Sequence, residues 1–287
     1  MSISTLNSPD TKNTASVYFD NVSHNQTRVD QVALRPLPDH TYVIYFTPRS
    51  GSSRLTEILS QTQKLGEATE AFNPNFLPGI AEAVQAKDMQ SYIENLSRWL
   101  NRNGVFGFEI TGHQLNKVFP QVTDFFDAFS NAKSFWLIRE DIVAQAVSLA
   151  KMVTLDIGHT AQSNPDQRRE AEKSFTYAPQ KIKRWLNHIL AAERLSETWF
   201  KRFEISPKRM SYEKMIQLSA GEIANDFASH LGLPDLPEIR FSLQHQKLGT
   251  SKNREFADRF RIDEAEFLKT VAKERQPMLN ALNSALP

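Results

Sequence analysis

The sequence predicts an α/β fold: a P-loop-type parallel β-sheet flanked by helices, in a single domain with an extended N-terminal arm. Three observations carry this expectation. Short apolar runs of strand length recur at residues 41–47, 104–110 and 133–139, and stretches with helical spacing separate them. The first run ends abruptly in the small-residue loop Pro48-Arg49-Ser50-Gly51-Ser52-Ser53. Strands that alternate with helices build parallel sheets covered on both faces, and their runs are continuously apolar instead of alternating.

Residues 1–38 are rich in Ser, Thr, Asn and Asp and carry Pro36 and Pro38, so they read as a mostly disordered or loosely docked arm. Residues 39–287 form the α/β domain. After the first strand, Leu55, Ile58, Leu59 and Leu65 keep helical spacing, with Ser52 or Ser53 as the expected N-cap. A helix over 141–153 follows the third strand, with Ile142, Ala146, Leu149 and Val153 on one face. Residues 158–174 are polar, contain Asn164-Pro165, and read as a mobile excursion fit to act as a lid. Pro179 opens a long amphipathic helix whose stripe includes Ile182, Leu186, Ile189, Leu190 and Trp199. A fourth strand is expected around 209–212, and a helix over 220–231 stops at Gly232 and Pro234.

Composition narrows the function. Of the 287 residues, 34 are Lys or Arg and 33 are Asp or Glu, so the net charge is only +1 and no strong field recruits nucleic acid or an anionic membrane. No apolar run reaches the length of a transmembrane helix. The first residues lack the basic start and apolar stretch of a secretory signal, which makes the cytoplasm the expected location. With no cysteine, disulfides, zinc–thiolate sites, iron–sulfur clusters and thiol catalysis all drop out.

The loop after the first strand lies where unpaired amides and a helix dipole converge on anions. Gly51 lets backbone approach an oxygen closely, Ser50, Ser52 and Ser53 offer hydroxyls, and Arg49 can clamp an anion with its fork. The loop lacks the Gly-Lys-Ser/Thr ending of a nucleotide-triphosphate loop, and the third strand ends in Arg139 where a magnesium-binding Asp would stand. Arg139 and Ser148, nine residues on in the next helix, can reach one further anion together.

Four stretches together resemble the bacterial sulfotransferases typified by trehalose 2-sulfotransferase. TPRSGSS is similar to that family's 5'-phosphosulfate loop, GEATEAFNP to its segment with the catalytic Glu, GVFGFEI to its Gly-Val-x-Gly strand, and REDIVAQAVSLA to its 3'-phosphate segment. The resemblance implies the sulfotransferase fold and transfer of a sulfuryl group from 3'-phosphoadenosine 5'-phosphosulfate to a hydroxyl, with a carbohydrate or glycolipid acceptor and a homodimer among its expectations. It needs no metal, since moving SO3 calls for less charge neutralisation than moving metaphosphate. Carried over by position, Glu70 is the base and Arg49 the catalytic cation. Arg49, Ser50, Gly51, Ser52, Ser53, Arg139, Ser148 and, near the C-terminus, Lys247 hold the donor. His113 is the rival base. Where the family often has Lys, this chain has Glu109, which can meet an amine or sugar hydroxyls, or pair with Lys117. Lys252, Arg254, Arg259 and Arg261 read as a solvated helix. A P-loop kinase and a non-catalytic nucleotide-binding scaffold are the competing readings.

Overall fold

The structure, a computed structural model, describes residues 16–155, 173–244 and 250–284. Four parallel strands stand in the order β2-β1-β3-β4: β1 (His40–Phe46), β2 (Val105–Thr111), β3 (Lys133–Ile138) and β4 (Lys208–Ser211). All seven residues of β2 are buried, and so are Tyr42 to Phe46 in β1, which explains why these strands read as unbroken apolar runs. Gly107 belongs to β2 because the ring of Tyr42, its register partner on β1, fills the space a Cβ would take. That ring reaches across the strand so that its hydroxyl donates to the Leu65 carbonyl at 2.7 Å.

The pleat divides the core. Val43, Tyr45, Phe106, Phe108, Ile110, Trp136 and Ile138 face one layer, and Tyr42, Ile44, Phe46, Val105, Phe135 and Leu137 face the other. The second layer is closed by α2 (Ser52–Gln61) and α10 (Ala220–Leu231), through Leu55, Ile58, Leu59, Ile223 and Phe227. The first is closed by α3 (Leu77–Ala83), α4 (Met89–Leu100), α5 (Gly112–Val118), α6 (Val122–Ala128) and the far end of α8 (Pro179–Arg202). A third cluster joins α7 (Ile142–Leu155) and α8 to α11 (Ser251–Asp263) and α12 (Ala265–Ser284), with Ala146, Leu186 and Phe260 at its centre. The remaining short elements are a 3-10 turn (Ser16–Tyr18), α1 (Gln26–Ala33) and α9 (Tyr212–Met215). No helix among the described residues is long and apolar enough to cross a membrane.

Over residues 16–38 the expectation of a loose arm gives way to ordered, docked chain. Asn25 caps α1 by accepting from the Arg28 amide, and Phe19 and Val32 are buried. Phe19 stands 5.9 Å from the Tyr92 ring, and the Arg35 guanidinium lies 4.0 Å over Trp99. Two anchors separated by polar chain make no periodic pattern, which is why the sequence hides them. The α2 expectation shifts as well: the N-cap is Gly51, in the left-handed region at φ +92, with no side-chain cap.

Candidate functional site

In a parallel sheet the strand carboxyl ends share one edge, and the loops leaving that edge build the site. Here Phe46 is in register with Thr111, and Ile138 with Ser211. The loop after β1 is held by Gln145 of α7, whose amide donates to Thr47 Oγ1 and to the Pro48 carbonyl, both at 2.8 Å. It then curls through positive φ at Arg49 (+67) and Gly51 (+92). A Cβ on Gly51 would lie 2.5 Å from the Tyr212 ring, so glycine is required for space as well as for conformation. The Ser50 amide is engaged within the loop, donating to the Thr47 carbonyl at 3.2 Å. The uncapped start of α2 leaves the donors of the helix N-terminus to whatever enters.

Arg49 and Arg139 converge beside this loop. Arg49 Nε donates to Ser148 Oγ at 3.0 Å, and Arg139 Nη1 donates to the Arg49 carbonyl at 3.0 Å. Arg139 and Ser148, singled out for the second anion, therefore form one cluster with Arg49 of the loop. Burial, then the like charge of Arg139, pushes the Arg49 guanidinium below its ordinary value, and no carboxylate pairs with Arg49 among the described residues. Arg139 lies 4.8 Å over the Tyr212 ring, with Nε 3.9 Å from Glu213. Ser50 Oγ, Arg54 Nε and Arg139 Nε are buried donors without a hydrogen-bond partner. Buried donors without hydrogen bonds beside a cation without a carboxylate are groups whose chemistry suits an anion.

Glu70 sits on the other side of α2. The extended chain before it runs along the outer edge of β2, where Thr69 bridges Phe108 and the Glu109 amide donates to the Thr69 carbonyl at 2.9 Å. Glu70 Oε2 accepts from Asn73 Nδ2 at 2.8 Å and Gln114 Nε2 at 2.5 Å. Gln114 is itself fixed, because its carbonyl oxygen accepts from the Thr111 amide in the capping box that starts α5. Two oriented amides thus hold the Glu70 carboxylate, and Gln114 is a site residue that the sequence reading missed although Thr111-x-x-Gln114 was legible as a cap.

Glu109 projects toward α2 from the middle of the buried strand. It is 6 % exposed and its Oε2 has no hydrogen-bond partner. Burial, reinforced by the nearby Glu70 charge and opposed by a hydrogen bond from Ser52, pushes its pKa up to about 8. Of the alternatives left open for Glu109, the pair with Lys117 does not form: Lys117 is exposed on α5 and Glu109 is buried. His113 turns away to α8: its Nε2 lies 3.0 Å from the His188 carbonyl and its ring stacks on His188 at 4.1 Å.

Glu70, Glu109 and Ser53 line the head of a trench of about 1150 Å³. Its walls differ in character. The α2 wall presents Ser53, Thr56, Glu57 and Ser60, a polar stripe at helical spacing, whereas α3 and α4 present Ile80, Val84, Leu96 and Trp99. The polar stripe reaches Gln61, a run of about 12 Å at 1.5 Å per residue. Lys247 and nearly all of 158–174 lie outside the described residues. Of the basic residues on α11, Arg261 pairs with Asp141 at 2.8 Å and Asp258 at 2.6 Å, a surface role as expected. No group of three or more His, Asp or Glu is placed to hold a metal among the described residues.

A solved structure of a sulfotransferase from Alicyclobacillus acidocaldarius matches 84 % of this chain and 95 % of its own, at 18 % identity and a TM-score of 0.47. No curated protein matches the chain at a significant level. The family model described as Stf0 sulphotransferase matches residues 41–263, the span that holds the loop, the Arg49–Arg139–Ser148 cluster, Glu70 and the trench. The chain belongs to the Stf0 sulphotransferase family, a family of transferases that move a sulfuryl group.

Proposed function

We propose that the protein transfers the sulfuryl group of 3'-phosphoadenosine 5'-phosphosulfate to a hydroxyl of a carbohydrate-like acceptor lying in the trench. The observation that carries this is the pair of guanidiniums, Arg49 and Arg139, held together with Ser148 and without a carboxylate for Arg49. Arg139 and Ser148 would take the 3'-phosphate. The α2 N-terminus with Ser50, Ser52 and Ser53 would take the 5'-phosphosulfate, and the unpaired Ser50 Oγ and Arg139 Nε fit such anionic oxygens. When bound, the donor supplies an activated S–O bond to phosphate.

Glu70 would receive the proton of the acceptor hydroxyl as its oxygen bonds to sulfur and the sulfur–phosphate oxygen bond breaks. The products are the sulfate ester and adenosine 3',5'-bisphosphate. Gln114 and Asn73 hold the Glu70 carboxylate toward that hydroxyl, and Arg49 stabilises charge growing on the leaving phosphate. The hydroxyl and carboxylate wall of α2 facing Trp99 and Ile80 suits a ligand with polar edges and an apolar face, as a pyranoside has. His113, engaged with His188, supports Glu70 as the base.

The test is release of adenosine 3',5'-bisphosphate from the donor, followed over a panel of glycosides by wild type and Glu70→Gln. Acceptor-dependent release that Glu70→Gln abolishes supports the reading. Release by Glu70→Gln at the wild-type rate contradicts the base assignment. Absence of release with every acceptor, despite tight bisphosphate binding, would favour a binding scaffold.

A further inference from the structure

The link between β3 and α7, residues 139–141, carries the Arg139 side chain to the anion cluster, so the path of that link decides where the cation sits. Four of its polar backbone groups are gripped from two sides. On one side Glu213 of α9 accepts from the Glu140 and Asp141 amides at 2.9 and 3.2 Å. On the other, Arg275 of α12 donates to the Glu140 carbonyl through Nη1 at 2.9 Å and to the Arg139 carbonyl through Nη2 at 2.7 Å. Arg275 is only 4 % exposed, and its own plane is fixed by a two-pronged contact with Glu193 of α8, Nε to Oε2 and Nη2 to Oε1, both 2.9 Å.

One rigid fork therefore ties a carboxylate on α8 to two successive carbonyls of the link. A pair this deeply buried adds little net stability relative to an apolar pair of the same size, because desolvation opposes the attraction. What it adds is direction: five donors in a fixed plane set the orientation of two peptide groups at once, which a lysine ammonium does not reproduce. Arg275 also lies beyond residue 263, where the family match ends.

We propose that Arg275 is a positioning residue of the donor site, holding the 139–141 link so that the Arg139 guanidinium meets the donor's 3'-phosphate. The proposal rests on the donor assignment made under Proposed function. It makes the C-terminal helix α12 part of the donor-binding apparatus, acting through Glu140 and Arg139 without touching the ligand.

The experiment uses the full chain as wild type, Arg275→Lys and the apolar double variant Arg275→Met/Glu193→Leu, which leaves no unpaired buried charge. Calorimetric affinities for adenosine 3',5'-bisphosphate and for ADP are measured in each, with hydrogen exchange at the Glu140 and Asp141 amides. The expected result is a roughly ten- to hundredfold weaker bisphosphate affinity in both variants, ADP affinity unchanged, and faster exchange at residues 140 and 141. In turnover, KM for the donor rises more than kcat falls. Folded variants that keep the wild-type preference for the bisphosphate overturn the proposal, as does equal loss of both ligands, which marks a merely structural role. Absence of any preference in wild type overturns the donor assignment itself, and the positioning role with it.

Discussion

Replacing Glu109 by Gln should change how stability depends on pH. Glu109 is almost completely buried and faces Glu70 from the trench floor, Ser52 from α2 and Tyr42 from β1, with no cation among the causes of its shift. Its pKa stands at about 8 in the folded protein, against 4.5 for an ordinary Glu. Between those values the folded chain keeps a proton that the unfolded chain has released. Unfolding free energy then falls by about 1.4 kcal/mol per pH unit from this group. The stabilisation is fully present below pH 4.5 and is lost as pH rises through about 8, a ceiling of roughly 5 kcal/mol for the full shift. Glutamine keeps the size and the capacity to bond Ser52 but does not titrate. Urea unfolding of both proteins at pH 5.5 and 7.5 should show Glu109→Gln gaining about 3 kcal/mol on wild type over that interval. Parallel stability curves across the interval would refute the reasoning, because they would show that Glu109 ionises in the folded protein as it does in the unfolded chain.

Four further outcomes follow from the geometry. Glu70→Gln should lower kcat by about 10²- to 10⁴-fold while leaving bisphosphate affinity within calorimetric error, since Glu70 lines the trench proposed to take the acceptor. Arg49→Ala should reduce turnover more than donor affinity, measured as kcat against donor KM, because in the proposed reaction its charge acts on the leaving phosphate. Gly51→Ala should destabilise the chain by about 1–3 kcal/mol in urea melts and abolish donor binding, since the new Cβ forces a left-handed residue against the Tyr212 ring. Trp99→Ala should raise the acceptor KM without changing donor affinity, as Trp99 lines the trench from α4, with Arg35 over its ring.

The elements legible in the sequence were those whose signal is local. β1, β2 and β3 announce themselves because a strand covered on both faces is apolar throughout, and the loop after β1 because Ser-Gly-Ser interrupts such a run. Arg139 and Ser148 were legible as a pair from a strand end and the helix after it, but their join to Arg49 rests on contacts 90 or more residues apart in sequence. Ser52 was misread as a cap because serine is a good one in isolation, whereas the backbone at Gly51 turns left-handed and leaves the helix start open. Helices of seven residues such as α3, α5 and α6 are too short for a periodicity signal. Glu109 was read as an open choice between ligand and ion pair, although a lone acid inside a wholly apolar strand is itself a sign of burial. Arg275 and Glu193 stand 82 residues apart, and nothing local marks their contact or its hold on the link after β3. Long-range hydrogen bonds of this kind are set by packing among α8, α12 and the β3–α7 link, which a single sequence does not encode in any pattern of spacing.

The central claim is that Arg139, joined to Arg49 and Ser148, reads a 3'-phosphate. Calorimetric titration of wild type and Arg139→Ala with adenosine 3',5'-bisphosphate, with ADP as the comparison, tests it most directly. The account predicts tight bisphosphate binding and weak ADP binding in wild type, with the two ligands brought to similar affinity in Arg139→Ala. Equal affinities in wild type, or a preference that survives in Arg139→Ala, would contradict it.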